Sequence, residues 1–134
     1  MVKVEVILFR KTGKDYQFLL LKRTKEQGGY WQPITGTKNG NESTLQAALR
    51  EAFEEAGLNK KNILKEIKNF YEFDLRDTKE HVFGFQVKNN FEPDIKSNKD
   101  MEHEEYRWLE FKSALNLLFW EENKKALIRL NEIL

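Results

Sequence analysis

The stretch from Gly36 to Leu58 reads GTKNGNESTLQAALREAFEEAGL. It opens as a loop rich in Gly and Asn and continues as a helix whose ends are both marked. Ser43 with Gln46 three residues on has the capping-box pattern of a helix start, and Gly57 is a natural C-terminal stop. Between them Leu45, Ala48, Leu49, Ala52, Phe53 and Ala56 recur at three- and four-residue spacing, which predicts one apolar face. At roughly 100° per residue, Glu51, Glu54 and Glu55 share about one third of the circumference, and they are expected to point away from that face. Three carboxylates this close raise one another's pKa unless a cation sits among them. Oxygen donors of this kind suit hard cations such as Mg2+ or Mn2+, which keep some waters and share the rest of their shell with phosphate oxygens. Arg50 precedes Glu54 by four residues and is placed to pair with it. Alone, a Glu-x-x-Glu-Glu cluster reads as a solvated, salt-bridged helix face. Gly36 and Glu42, at fixed spacing upstream, turn the reading toward metal binding.

The remainder of the chain sets bounds. Its 134 residues suit one domain over 1–134, with a real core but no room for a second. Charged residues make up 34% of it, yet the net charge is +1, so no global field draws it to nucleic acid or a membrane surface. Cysteine is absent, which excludes disulfides and thiolate metal sites. No apolar run approaches membrane-spanning length, and Met-Val-Lys-Val-Glu-Val begins as a strand and not as a cleavable signal. The cytoplasm is the expected location.

Val2 to Phe9 alternates and is β-branched, predicting a strand. Tyr16 to Arg23 predicts a second, buried one, with a turn over residues 11–15 between them. Further strands are expected at about Phe70 to Leu75, His81 to Lys88 and Tyr106 to Leu109. Helical spacing appears in Lys112 to Leu118 and in Glu121 to Leu134, the latter through Ala126, Leu127, Leu130 and Ile133. Mixed strands with a central and a C-terminal helix make an α+β sandwich.

The spacing of Gly36, Glu42, Arg50, Glu51, Glu54, Glu55 and Gly57, with Ala52 and Leu58 in aliphatic slots, resembles the signature of the Nudix hydrolases. With residue usage near roughly one in fifteen, seven coincident matches have odds on the order of 10⁻⁸ per start position. The resemblance implies an α/β/α sandwich with a mixed β-sheet. It also implies a metal site built from Glu51, Glu54, Glu55 and the Gly36 carbonyl, with Glu42, Arg50 and Gly57 as bracing of the loop and helix. Glu102 to Leu109 (EHEEYRWL) is similar to a stretch in the diadenosine tetraphosphate hydrolases and dihydroneopterin triphosphate pyrophosphatases of that family. By that likeness Glu102 is a fourth carboxylate, either a metal ligand or the general base, and Glu54 is the other candidate base. The competing reading makes Glu102, Glu104 and Glu105 equivalent solvated loop residues and His103 incidental. Tyr106 and Trp108 are expected in the core.

Tyr30 to Thr37 (YWQPITGT) resembles the entry of the dihydroneopterin triphosphate and dATP pyrophosphohydrolase group. In that setting Trp31 is a candidate for base stacking as well as for the core, and Lys22 and Arg23 are candidates to face phosphates. Lys38 to Asn41 departs from the common Glu-x-Gly-Glu loop, which leaves the signature intact but blurs the subgroup. The implied activity is Mg2+- or Mn2+-dependent hydrolysis of a small-molecule nucleoside polyphosphate. A nucleoside triphosphate such as dATP, or a pterin triphosphate, would be cut to monophosphate and pyrophosphate. Diadenosine tetraphosphate hydrolysis is the first alternative, and a non-catalytic nucleotide-binding domain the second.

Overall fold

The computed structural model describes residues 1–98 and 100–134. Strands β1 (Val2–Thr12), β2 (Asp15–Arg23), β3 (Trp31–Gln32) and β4 (Ile34–Thr37) come first, followed by helix α1 (Thr44–Ala56). Strands β5 (Ile63–Leu75), β6 (Thr78–Val87) and β7 (His103–Leu109) precede helices α2 (Phe111–Leu117) and α3 (Glu121–Ile133). Among the described residues the strands form one seven-stranded sheet with path β3-β2-β1-β6-β5, β4 lying beside β1 and β7 beside β2. β1 runs parallel to β6 and antiparallel to β2 and β4, so the sheet is mixed.

Alternation in β1 divides the core into two layers. Val4, Val6 and Leu8 pack with Ala47, Ala48, Ala52 and Ala56 of α1 on one face. Ile7 and Phe9 pack with Ala126, Leu127 and Leu130 of α3 on the other. The α1 boundaries follow the sequence: Ser43 and Gln46 form a reciprocal capping box, and Gly57 takes a left-handed φ of 71°. That conformation favours glycine and lets its N–H cap the carbonyls of Ala52 and Phe53.

Several elements depart from the expected boundaries. β1 continues through the anticipated turn to Thr12, because Arg10, Lys11 and Thr12 pair with Gln17, Tyr16 and Asp15 at a hairpin end where polar side chains reach water. β5 starts at Ile63, well before Phe70. Its register shifts between Ile63 and Lys65 and between Ile67 and Tyr71, and such bulges erase the two-residue period by which a strand is recognised. Residues 31–37 form two short strands broken at Pro33, and β7 begins at His103 instead of Tyr106. Phe53, assigned by spacing to the apolar face of α1, is 56% exposed. Ala47 is buried in that layer, so the covered stripe is rotated from the one the larger apolar residues suggest.

One buried acid lies on the α3 side. Glu5 is fully buried and accepts a hydrogen bond of 2.8 Å from Asn123 Nδ2, while its Oε2 has no partner. Burial pushes its pKa well above the usual glutamate value; the Asn123 bond opposes this, and Glu80 and Glu122 reinforce it. A folded-state pKa above the unfolded one gives stability that is complete below the ordinary glutamate range and is lost as pH rises. Glu5→Gln keeps the Asn123 bond and removes this titration. Its melting temperature is expected to exceed that of the wild type by several degrees at about pH 8 and by much less at about pH 5. Parallel pH profiles of thermal unfolding for the two proteins would contradict the assignment.

Candidate metal centre

Arg50 organises the loop and the acidic face of α1. Its Nη2 donates to the Thr37 carbonyl at 2.8 Å and to Glu42 Oε1 at 2.7 Å, and its Nε donates to Glu42 Oε2 at 3.1 Å. Its Nη1 donates to Glu51 Oε1 at 2.7 Å and to Glu54 Oε1 at 3.1 Å. The Arg50–Glu54 pair of the sequence reading is therefore present, but Glu42 is the two-pronged partner. Glu42 also accepts the Asn39 N–H at 2.7 Å, and hydrogen bonding by Arg50 and then Asn39 holds its carboxyl below the usual range. Hydrogen bonds to Glu42 and then Glu51 raise the guanidinium's own pKa. Gly36 sits in β4 opposite Val4, and a Cβ there would overlap the Glu51 carboxyl group. Only glycine lets β4 pass so close to that side chain.

Glu55 corrects the expectation that all three helix acids point away from the apolar face. It is 3% exposed, on the border of the apolar stripe, and is enclosed where the start of β7 meets the helix. Glu55, Glu102 and His103 each offer one ligand atom, and these atoms lie within 4.8 Å of one another. Burial, then the neighbouring Glu51 and Glu102 carboxylates, push the Glu55 pKa up to about 10. His103 is pushed down to about 4, first by burial and then by the charge of Arg23, so its ring is neutral at neutral pH. Its 3.7 Å approach to Glu55 is thus not an ion pair, and neither Glu55 Oε1 nor His103 Nε2 has a hydrogen-bond partner. Two orphaned buried ligand atoms beside the Glu102 carboxylate fit a divalent cation, which would satisfy all three. The all-oxygen donor set of the sequence reading gains an imidazole nitrogen.

His103 is the site residue that sequence reasoning set aside. It lies at the start of β7, opposite Arg23 of β2, where the register is irregular and no motif spacing marks it. Glu102 is fixed from the same side, its carbonyl accepting the Thr24 N–H at 3.1 Å. Glu104 and Glu105 differ from it in their partners: Glu104 is exposed and lies 3.9 Å from Lys22, and the half-buried Glu105 bonds Arg107 at 2.9 Å. Of the two basic candidates, Arg23 reaches the centre electrostatically, lowering the pKa of both Glu55 and His103. Lys22 is held at the rim by Glu104. Trp31 is buried in the α3-side layer with the Arg107 guanidinium 4.8 Å above its ring, so it does not offer a free face for stacking.

The raised pKa of Glu55 has a measurable sign. Its contribution to the metal-free fold is complete below the ordinary value of 4.5 and is lost as pH rises toward about 10. Cation entry instead requires the carboxylate and releases its proton. Glu55→Gln is therefore expected to melt several degrees above the wild type in chelator at about pH 8. It should also lose the rise in melting temperature that Mg2+ gives the wild type. Thermal unfolding of both proteins with chelator and with Mg2+ checks this, and equal shifts would contradict it.

The NUDIX domain family profile matches residues 1–130. An octanoyltransferase of Myxococcus xanthus is 31% identical over 121 residues, covering 86% of this chain but only 32% of that protein. The chain thus spans about a third of that relative's length. A dihydroneopterin triphosphate diphosphatase of Haemophilus influenzae is 24% identical over 129 residues, covering 85% of this chain and 78% of the other. Among solved structures, a protein of Listeria monocytogenes assigned as a NUDIX hydrolase superposes with a TM-score of 0.78 at 33% identity, covering 98% of this chain and 92% of that one. With the loop, the Arg50 fork and the acidic helix in place, the match over nearly the whole chain shows that it belongs to the NUDIX domain family.

Proposed function

We propose that the chain is a divalent-metal-dependent pyrophosphohydrolase that cleaves a phosphoanhydride bond of a nucleoside triphosphate such as dATP, or of a related pterin triphosphate, to monophosphate and pyrophosphate. The observation that carries this reading is the convergence of Glu55, Glu102 and His103 beside Glu51 and Glu54 on the same helix. Similarity to the dihydroneopterin triphosphate diphosphatase and the Tyr30 to Thr37 entry support the triphosphate class. The Glu102 to Leu109 match favours a second substrate, a dinucleoside polyphosphate such as diadenosine tetraphosphate. Retention of every signature glutamate argues against a non-catalytic domain.

In this reading Glu51, Glu55, Glu102, His103 and the Gly36 carbonyl hold Mg2+ or Mn2+. When bound, the cation supplies Lewis acidity, neutralising charge that builds on the phosphoryl oxygens and acidifying the attacking water. Glu54 is the group we assign to accept that water's proton. Its carboxylate is nearly half exposed and steered by Arg50, whereas Glu102 lies within the donor cluster. Glu42 and Arg50 hold the loop against the helix, and Arg23 neutralises charge on the phosphate chain.

Glu54→Gln is expected to lower kcat by about two orders of magnitude or more with little change in stability, since each 1.36 kcal/mol is about tenfold in rate. Glu102→Gln should lower kcat less, with a modest change in KM, while Glu104→Gln and Glu105→Gln stay near wild type. Steady-state assays with dATP and diadenosine tetraphosphate separate the two substrate readings. Equal rates in all four variants would remove the roles of Glu54 and Glu102. Chelator is expected to abolish turnover and Mg2+ or Mn2+ to restore it; turnover persisting in excess chelator would overturn the mechanism.

A further inference from the structure

With Trp31 buried, the aromatic surface near the metal centre belongs to its neighbours. Tyr30 stacks on Phe119 with ring centroids 5.5 Å apart and planes 20° from parallel. Trp120 stands edge-on to both, 5.3 Å from Tyr30 at 84° and 4.9 Å from Phe119 at 90°. Phe119 is 61% exposed and Trp120 47%. Large apolar side chains gathered in water carry a standing cost, and a cluster of them marks a binding surface more often than a packing accident. The cluster is held on both sides, since a bridge between Trp31 and Leu118 ties the α2–α3 junction to β3.

Its position relates it to the metal centre. The Tyr30 carbonyl accepts the Arg23 N–H at 3.0 Å, and Arg23 pairs across β2 with His103. Tyr30 and His103 therefore flank the same strand, two strand spacings or roughly 10 Å apart. The Arg23 guanidinium, from the strand they flank, is 6.0 Å from the Tyr30 ring and anchored to Gln27 Oε1 at 2.6 Å, and its charge is felt at His103. Lys22 adds a second positive charge at the rim.

We propose that Tyr30, Phe119 and Trp120 form the subsite for the planar heterocycle of the substrate, which stacks on this cluster while its phosphate chain passes Arg23 toward the metal centre. Rings with mixed stacked and edge-on geometry offer both faces and edges to a flat π-system. The nearby positive charge complements phosphate and disfavours a neutral apolar partner. This inference rests on the proposed function for the identity of the phosphate end, but its test does not. A sugar and one or two phosphates bridge the gap between cluster and centre, which suits a nucleotide-class ligand.

The test uses AMP, which contains a heterocycle and a phosphate but no phosphoanhydride, against ribose 5-phosphate, which lacks the ring. Binding to the full chain is measured by calorimetry in the wild type, Phe119→Ala, Trp120→Ala and the conservative Trp120→Phe. The expected result is an AMP Kd about tenfold higher in each alanine variant, nearly restored in Trp120→Phe, with ribose 5-phosphate binding unchanged throughout. In turnover, the alanine variants should raise KM by a similar factor and leave kcat intact. Because Phe119 and Trp120 are both largely exposed, thermal unfolding of the variants should match the wild type. AMP affinity unaffected by either alanine substitution would overturn the proposal, as would a wild type that binds AMP no better than ribose 5-phosphate. So would concentration-dependent self-association that Trp120→Ala abolishes, which would make a second copy of the chain the occupant. Since AMP is not hydrolysed, a failure of the proposed activity leaves this binding result interpretable, and the reverse also holds.

Discussion

A single guanidinium joins the two halves of the site. Arg50 binds the Thr37 carbonyl and Glu42 of the loop and Glu51 and Glu54 of the helix, all at 3.1 Å or less. The fork geometry is what permits this: a planar group with five donors reaches several acceptors at once, whereas an ammonium acts as a point charge. Its charge also offsets the repulsion that a row of carboxylates would otherwise carry. The close passage of Gly36 over Glu51 depends on the same clamp, because the loop is drawn down onto the helix face.

The acids of α1 and of the loop before it consequently fall into two electrostatic groups. Glu42, Glu51 and Glu54 are matched by Arg50 within the protein. Glu55 is not: it shares a buried recess with a neutral His103 and with Glu102, and only the more distant Arg23 favours its charged form. In a low-dielectric setting such a carboxyl holds its proton until a cation replaces it. The recess is a poor place for an isolated charge and a good one for a dication. The fold thus tolerates local instability at the candidate metal centre.

Most of the acidic helix was legible because its evidence is local. The capping box, the glycine stop and the spacing of Glu51, Glu54 and Glu55 lie within a few turns, and the structure returns both helix ends. What the helix wheel misjudged was depth. Phe53 and Glu55 sit on opposite borders of the apolar stripe, and it is the descent of β7 onto one border, not residue hydrophobicity, that buries the glutamate and leaves the phenylalanine outside. His103 was illegible for a related reason. Its role comes from pairing with Arg23, some eighty positions earlier, and from a register irregularity that no one-dimensional pattern records. The first half of β5 was lost to bulges, and Trp31 stayed open between core and ligand because an aromatic beside a signature loop is suited to both until Arg107 is seen to cap it.

The parallel pairing of β1 with β6 has a consequence for how the molecule comes together. Residues 2–9 find their partners at residues 79–86, so the central pair of strands closes a loop that contains β2, β3, β4, α1 and β5. Hairpin β1–β2 and helix α1 have mostly local contacts and can form early in synthesis. The inner edge of β1 must then wait, uncovered, for a strand that emerges much later. Long-range pairing of this kind slows folding and leaves an apolar edge open to other chains in the interval. Vulnerability to misassembly is therefore concentrated before β6 docks, at a stage when the loop and the acidic helix are already made but the residues that enclose Glu55 are not.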